Sequence, residues 1–321
     1  MKMKKMIFLV LTMALVLALA ACGGAGSSKM VMGTGSTTGT YYAYGGILAQ
    51  YIKNNTDINV VVASSDGSQA NIQSIDAGDY QLGTVQSDVL AYAWEGTRSF
   101  ESEGKIDSFR VVAGLYAEAV QLITMDPEIK SVADLAGKSV SIGAPGSGVY
   151  FNAVDVLTAA GLTEADINAQ YQSFADSTDA LKDGKIDAAF IVAGAPTPAI
   201  TELCTTNDAY LVPIDGEIAE RIMADCPFYT TYSIPAGTYP GQDADVTTVT
   251  VKATLIVDAA ADEDDVYNLT KAIFDNASAI AAENAKGNEL SIDNAVSGMA
   301  APFHAGAAKY FAEKGATVNV G

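Results

Sequence analysis

Short apolar strands alternate with amphipathic helices along this chain, and the strand-to-helix junctions are rich in Gly, Ser and Thr. That rhythm predicts an α/β fold of mostly parallel sheets covered by helices. Lys29 to Thr34 reads as a strand, and Tyr44, Ile47, Leu48, Tyr51 and Ile52 mark one face of the helix after it. A strand over Ile58 to Ala63, a helix from Ser68 to Ala77 stopped by Gly78, and a strand over Tyr80 to Val85 continue the pattern. Ser87 then caps a helix through Trp94. After a break, Phe109 to Leu115 and Val120 to Met125 read as two strands close together in sequence. The alternation resumes with Ser139 to Ile142, a helix to Ala159, a strand over Ala169 to Ser173 and a helix from Ser177. The apolar strand Asp187 to Val192 and a helix over Thr197 to Thr205 complete that block. Val246 to Val257 is a long strand ahead of a helix over Glu263 to Asn276. A long strand on each side of one βαβ block lets a chain leave a domain and return to it. Two lobes are therefore expected, with 29–118 and 246–321 forming the first and 119–245 inserted as the second.

The amino-terminal end bears on compartment. Lys2, Lys4 and Lys5 precede an apolar run from Met6 to Ala21, too short for a comfortable membrane span, which reads as a secretion signal over residues 1–21. It closes on Leu19-Ala20-Ala21-Cys22-Gly23, which resembles a lipoprotein cleavage box and implies lipidation of Cys22. Residues 22–28 would be a flexible tether, and two or more acyl chains would hold the domain at a membrane. The expected location is extracytoplasmic, on the outer face of the cell membrane or in a periplasm. The formal charge of −20 is nearer −23 without the three leader lysines, so nucleic acid is excluded as a partner. In an oxidising compartment, the pair Cys204 and Cys226 is expected to close a disulfide worth about 3 kcal/mol. His304 is the sole histidine, and the sequence offers no metal site or cofactor motif.

Four junctions bear on ligand binding: Gly33 to Gly39, Ser64 to Ser68, Gly143 to Gly148 and Ala193 to Thr197. Two fall in each expected lobe. Ligands of open α/β sheets collect at the carboxyl ends of strands, where such junctions lie. Each helix start offers unpaired N–H groups and the positive end of a dipole, which suits an anion. This matters in a chain whose arginines are only Arg98, Arg110 and Arg221. Enzyme motifs fail. The glycines at 33, 35 and 39 miss dinucleotide spacing, the Gly143 loop lacks a P-loop lysine, and no G-x-S-x-G occurs. His304, in Pro302-Phe303-His304-Ala305-Gly306, reads as a helix-start or packing residue.

The junction sequences resemble a known family. Gly33 to Tyr42, Gly67-Ser68-Gln69-Ala70-Asn71 and Val85-Gln86-Ser87-Asp88-Val89 are similar, in order, to segments of the TAXI family of TRAP-transporter solute receptors. Gly143 to Gly148, Asp183 to Ala188, Gly194-Ala195-Pro196, Tyr239 to Gln242 and His304 to Ala307 continue the resemblance, with Ala305 departing from the family's usual proline. It implies a two-lobed periplasmic-binding fold (type II) that closes on a small carboxylate or amino acid such as glutamate or glutamine. It further implies a monomeric receptor, not an enzyme, that hands its cargo to TRAP permease subunits driven by an ion gradient. Carried over, the ligand contacts are Ser36, Thr38, Gly39, Tyr41, Ser68, Asn71, Gln86 and Asp88 from the first lobe. Ser147, Gly148, Val149 and Pro196 come from the second. Amides near Gly39 and Gly148 would take a carboxylate, Tyr41 would wall the pocket, and Asn71, Gln86 or Asp88 would read an amine or a second polar group. Hinges are expected near 116–120 and 244–248. A receptor for an ATP-driven importer is the alternative, and a secreted lipoprotein enzyme a remote one.

Overall fold

A computed structural model describes residues 28–321; the signal segment, Cys22 and all of the tether but Ser28 lie outside the described residues. The strands are β1 (Ser28–Gly33), β2 (Ile58–Ala63), β3 (Leu82–Gln86), β4 (Phe109–Thr124), β5 (Ser139–Ser141), β6 (Asn168–Gln170), β7 (Ala188–Ala193), β8 (Tyr210–Val212), β9 (Thr230–Ile234) and β10 (Val246–Asp258). They form one sheet in the order β2-β1-β3-β10-β4-β7-β5-β6, with β8 on β4 and β9 on β10. The pairs β1–β2, β1–β3, β5–β6 and β5–β7 are parallel, whereas β4 and β10 run antiparallel to their neighbours. Two parallel α/β blocks are thus joined through a pair of long crossover strands.

The two strands expected at 109–115 and 120–125 are one continuous strand. Ala117, Glu118 and Ala119 keep pairing, opposite Lys252, Val251 and Thr250, so the ladder never breaks at the buried acid. The crossing between blocks lies at these residues. The expected second hinge, 244–248, precedes the crossing, and its Val246–Thr248 portion pairs with β9. The helix expected from Ser177 begins at Phe174, because the Ser173 hydroxyl accepts the Asp176 amide and caps it.

Core burial follows the periodicities. Tyr44, Leu48 and Ile52 bury one face of the helix Thr40–Asn55, and Gly45 lets that helix settle onto Met32 and Thr34 of the first strand and its junction. Each such buried aliphatic contributes roughly 1.5–3 kcal/mol. In the second block, alternate residues of β4 and β7 feed separate cores: Leu122 and Phe190 pack in one cluster, Ile123 and Ile191 in another.

That alternation corrects the expected disulfide. Cys226 packs in the Leu122 cluster and Cys204 in the Ile123 cluster, so the sheet separates them, and both are free, buried thiols. The Cys226 Sγ lies 3.6 Å from the Tyr92 hydroxyl instead. Thermal unfolding with and without reductant is expected to coincide, where a lost disulfide would cost about 3 kcal/mol; a clear drop on reduction would refute the free-thiol state.

Candidate functional site

The helix Ser68–Asp76 of the first block and the helix Gly148–Ala159 of the second start against each other. Gly67 sits at φ +114°, a backbone only glycine adopts freely, and a side chain there would meet the Ser147 backbone. The Ala70 amide donates to the Gly146 carbonyl across the gap at 3.1 Å. The amides of Ser68, Gln69, Gly148 and Val149 have no protein acceptor among the described residues. Two positive helix ends therefore converge from opposite sides of one cleft.

Beside them lies a small cavity of about 60 Å³. Its first-block wall includes Ser36, Thr40, Tyr41, Asp66, Ser68 and Gln86, and its second-block wall includes Ser147, Gly148, Val149, Gln172 and Phe174. Glu118, on the crossover strand, closes the floor between them. Gln86 is 2% exposed, yet its Oε1 has no hydrogen-bond partner; Gln172 Oε1 is likewise sealed and unpaired. A buried amide without a partner is costly unless something else satisfies it.

Burial pushes the Glu118 carboxyl up to about 8, with the Asp88 charge adding to the rise. The Tyr41 hydroxyl donates to its Oε2 at 2.5 Å, and Lys286, itself paired to Glu289 at 2.8 Å, favours the ionised form. Burial, followed by the Glu118 charge, in turn raises the Tyr41 hydroxyl well above its usual range. Among the described residues no Lys, Arg or His lines the cavity, so an acidic group there would meet backbone amides.

Of the residues named from the sequence, Ser36, Tyr41, Ser68, Gln86, Ser147, Gly148 and Val149 line this cavity, and Thr38, Gly39, Asn71, Asp88 and Pro196 do not. Thr38 uses its carbonyl to accept the Ala199 amide at 3.1 Å. Gly39 admits the Phe174 ring, which a side chain would crowd at 3.3 Å. Asn71 is spent internally: its Nδ2 donates to the Thr34 and Thr84 carbonyls at 2.7 and 2.8 Å, and its Oδ1 accepts the Ser65 hydroxyl at 2.7 Å. It has nothing left for an amine. Asp88 faces Asn152 instead of the cavity, and Pro196 is exposed. Glu118, Gln172 and Phe174 escaped the sequence reading. A lone acid in the apolar run Phe109–Thr124 was the available signal for Glu118. His304 is a helix cap, its Nδ1 accepting the Gly306 amide and its Nε2 facing the Ala261 carbonyl at 3.1 Å.

A family model described as the NMT1-like family matches residues 32–315. The chain belongs to the NMT1-like family. The NMT1-like chain is also similar in fold to solved structures. A protein from Bordetella bronchiseptica RB50 is 19% identical, with a TM-score of 0.54 over 79% of this chain and 75% of that one. The alkanesulfonate-binding protein SsuA from Xanthomonas axonopodis pv. citri, bound to MOPS, is 16% identical, with a TM-score of 0.50 over 91% and 92%. PhnD1 from Prochlorococcus marinus (MIT 9301), in complex with methylphosphonate, is 11% identical, with a TM-score of 0.51 over 77% and 84%. The NMT1-like chain thus has the mixed α/β, two-lobed fold of periplasmic substrate-binding proteins.

Proposed function

We propose that this chain is an extracytoplasmic solute receptor that captures a small polar molecule between its two lobes and delivers it to a membrane importer. The observation that carries this reading is the cavity walled by both blocks, with two helix starts and the unpaired Gln86 amide around it. A solute touching both walls favours the closed form by its differential affinity for that form. Amides of Ser68, Gln69, Gly148 and Val149 would hold an acidic group, while Gln86, Gln172 and Glu118 would read a neighbouring polar group. Chemistry is disfavoured, because among the described residues the hydroxyls of the wall have no imidazole or amine lining the cavity with them to take a proton.

Two importers compete. Kinship in fold with sulfonate- and phosphonate-binding proteins favours an ATP-driven importer, and it is the better supported of the two. The ordered junction motifs favour a TRAP permease of the TAXI type. Copurification from membranes with an ATPase-bearing or a TRAP-type complex separates them. For capture itself, thermal-shift screening of amino acids, dicarboxylates, sulfonates and phosphonates is expected to find a stabilising solute. Saturation at about 100 times Kd adds roughly 2.7 kcal/mol. Stabilisation by none of these classes, or turnover of any of them, would sink the receptor reading.

A further inference from the structure

Away from the cavity, a second set of buried polar groups joins the two lobes. Asn152 Nδ2, from the helix Gly148–Ala159, donates to Asp88 Oδ2 at 3.0 Å and lies 2.6 Å from the Tyr229 hydroxyl. That hydroxyl donates to Asp155 Oδ2 at 2.9 Å, and Arg98 of the first lobe pairs with Asp155 Oδ1 at 2.8 Å. Asp88 and Asn152 are both wholly buried. One amide hydrogen bond joins them across the lobes, and Asp88 Oδ1 and Asn152 Oδ1 are each sealed from solvent without a donor. The pair has two acceptor oxygens too many and one donor too few. An ionised carboxylate cannot supply that donor, whereas a carboxylic acid can.

We propose that the Asp88–Asn152 pair is a proton-binding site built from both lobes, filled on closure and emptied on opening, so that closing the receptor takes up one proton. Here the proton plays the part of a second ligand, separate from whatever the cavity holds. The surroundings agree. The ionisable groups facing Asp88 are Tyr92 on its own helix, Asp155 on the opposing helix, Cys226 and Tyr229 on the segment before β9, and Glu118 on β4. Every one of these is neutral or negative. Arg98, the only cation of the seam among the described residues, is already engaged by Asp155 and stacked at 4.7 Å on the Tyr92 ring. Burial lifts the Asp88 carboxyl to about 7, with the Asp155 charge adding to the rise; the amides of Val89 and Asp88 itself offset part of it.

The sign follows from linkage. Opening returns Asp88 to water, where a carboxyl titrates near 4, so the closed form binds more protons between about pH 4 and about 7. Through Asp88 the closed form gains as pH falls through that window, and this contribution does not change above it. In a Glu118→Gln chain, which lacks the second acid between the lobes, the closed-to-open ratio is expected to rise about tenfold between about pH 8 and about pH 6.

The mature chain without added solute serves as the test, read by small-angle scattering and by the infrared band of protonated carboxyls. Glu118→Gln removes the other buried acid, so a band at about pH 6, where solvated carboxylates are ionised, reports Asp88. That band is expected to fade as pH rises through about 7, while the radius of gyration grows. Adding Asp88→Asn to the Glu118→Gln chain supplies the missing donor permanently, and it is expected to abolish the band and keep the compact radius at both pH values. The proposal is overturned if the Glu118→Gln chain shows no such band at about pH 6, if its radius is the same at both pH values, or if adding Asp88→Asn leaves it expanding as before. Should the double variant fail to fold, the band and the scattering of the Glu118→Gln chain decide alone.

Discussion

Replacing Asn71 by alanine is expected to destabilise the fold by about 2–4 kcal/mol, since each buried partner stranded without a donor costs roughly 1–3 kcal/mol. Asn71 ties the end of β1, through the Thr34 carbonyl, to the Thr84 carbonyl of β3 and to Ser65 after β2. Three strand ends thus meet on one side chain. The Thr34 carbonyl keeps the Ser65 hydroxyl as a donor, at 3.1 Å, which places the loss below the sum of three full penalties. Urea unfolding of the variant beside the parent measures it. A change below about 0.5 kcal/mol would mean that the amide is not the strut described here.

Gln86→Leu is expected to do the opposite. Gln86 is nearly as buried as Asn71, but its Oε1 binds nothing in the protein, so an apolar side chain of similar size removes an unsatisfied group. Stability should hold or rise slightly, while affinity for the solute that best stabilises the parent falls about 10–100-fold, the worth of one or two polar contacts. Calorimetric titration and thermal unfolding of the same preparation give both readings. Unchanged affinity would remove Gln86 from the recognition surface, and a large loss of stability would show that the amide had a structural partner after all.

This contrast marks how far the sequence was readable. Helix faces such as Tyr44, Leu48 and Ile52 were legible because burial repeats every 3.6 residues within one element. The junctions were legible because glycine, serine and threonine are demanded locally by turn and cap geometry. Asn71 and Gln86 were not separable, because their roles depend on whether carbonyls from other strands surround them. Local spacing carries no trace of that. Glu118 was hidden for a related reason: an acid inside an apolar run reads as an interruption, whereas here the strand passes through it unbroken and delivers it to the cavity floor. The cysteine pairing failed because Cys204 lies on the helix Pro198–Thr206 and Cys226 at the end of the helix Gly216–Asp225, and the two pack into different cores. Nearness in sequence says nothing about which side of a sheet a helix covers.

The crossover strands β4 and β10 have a consequence for how this molecule can come apart. Both belong to each lobe at once, running from the first block into the second without an intervening linker. Stripping either block of its order would expose the edges on which its companion is built. Melting should consequently proceed as a single concerted event in calorimetry, in place of the paired transitions typical of domains strung on a flexible connector.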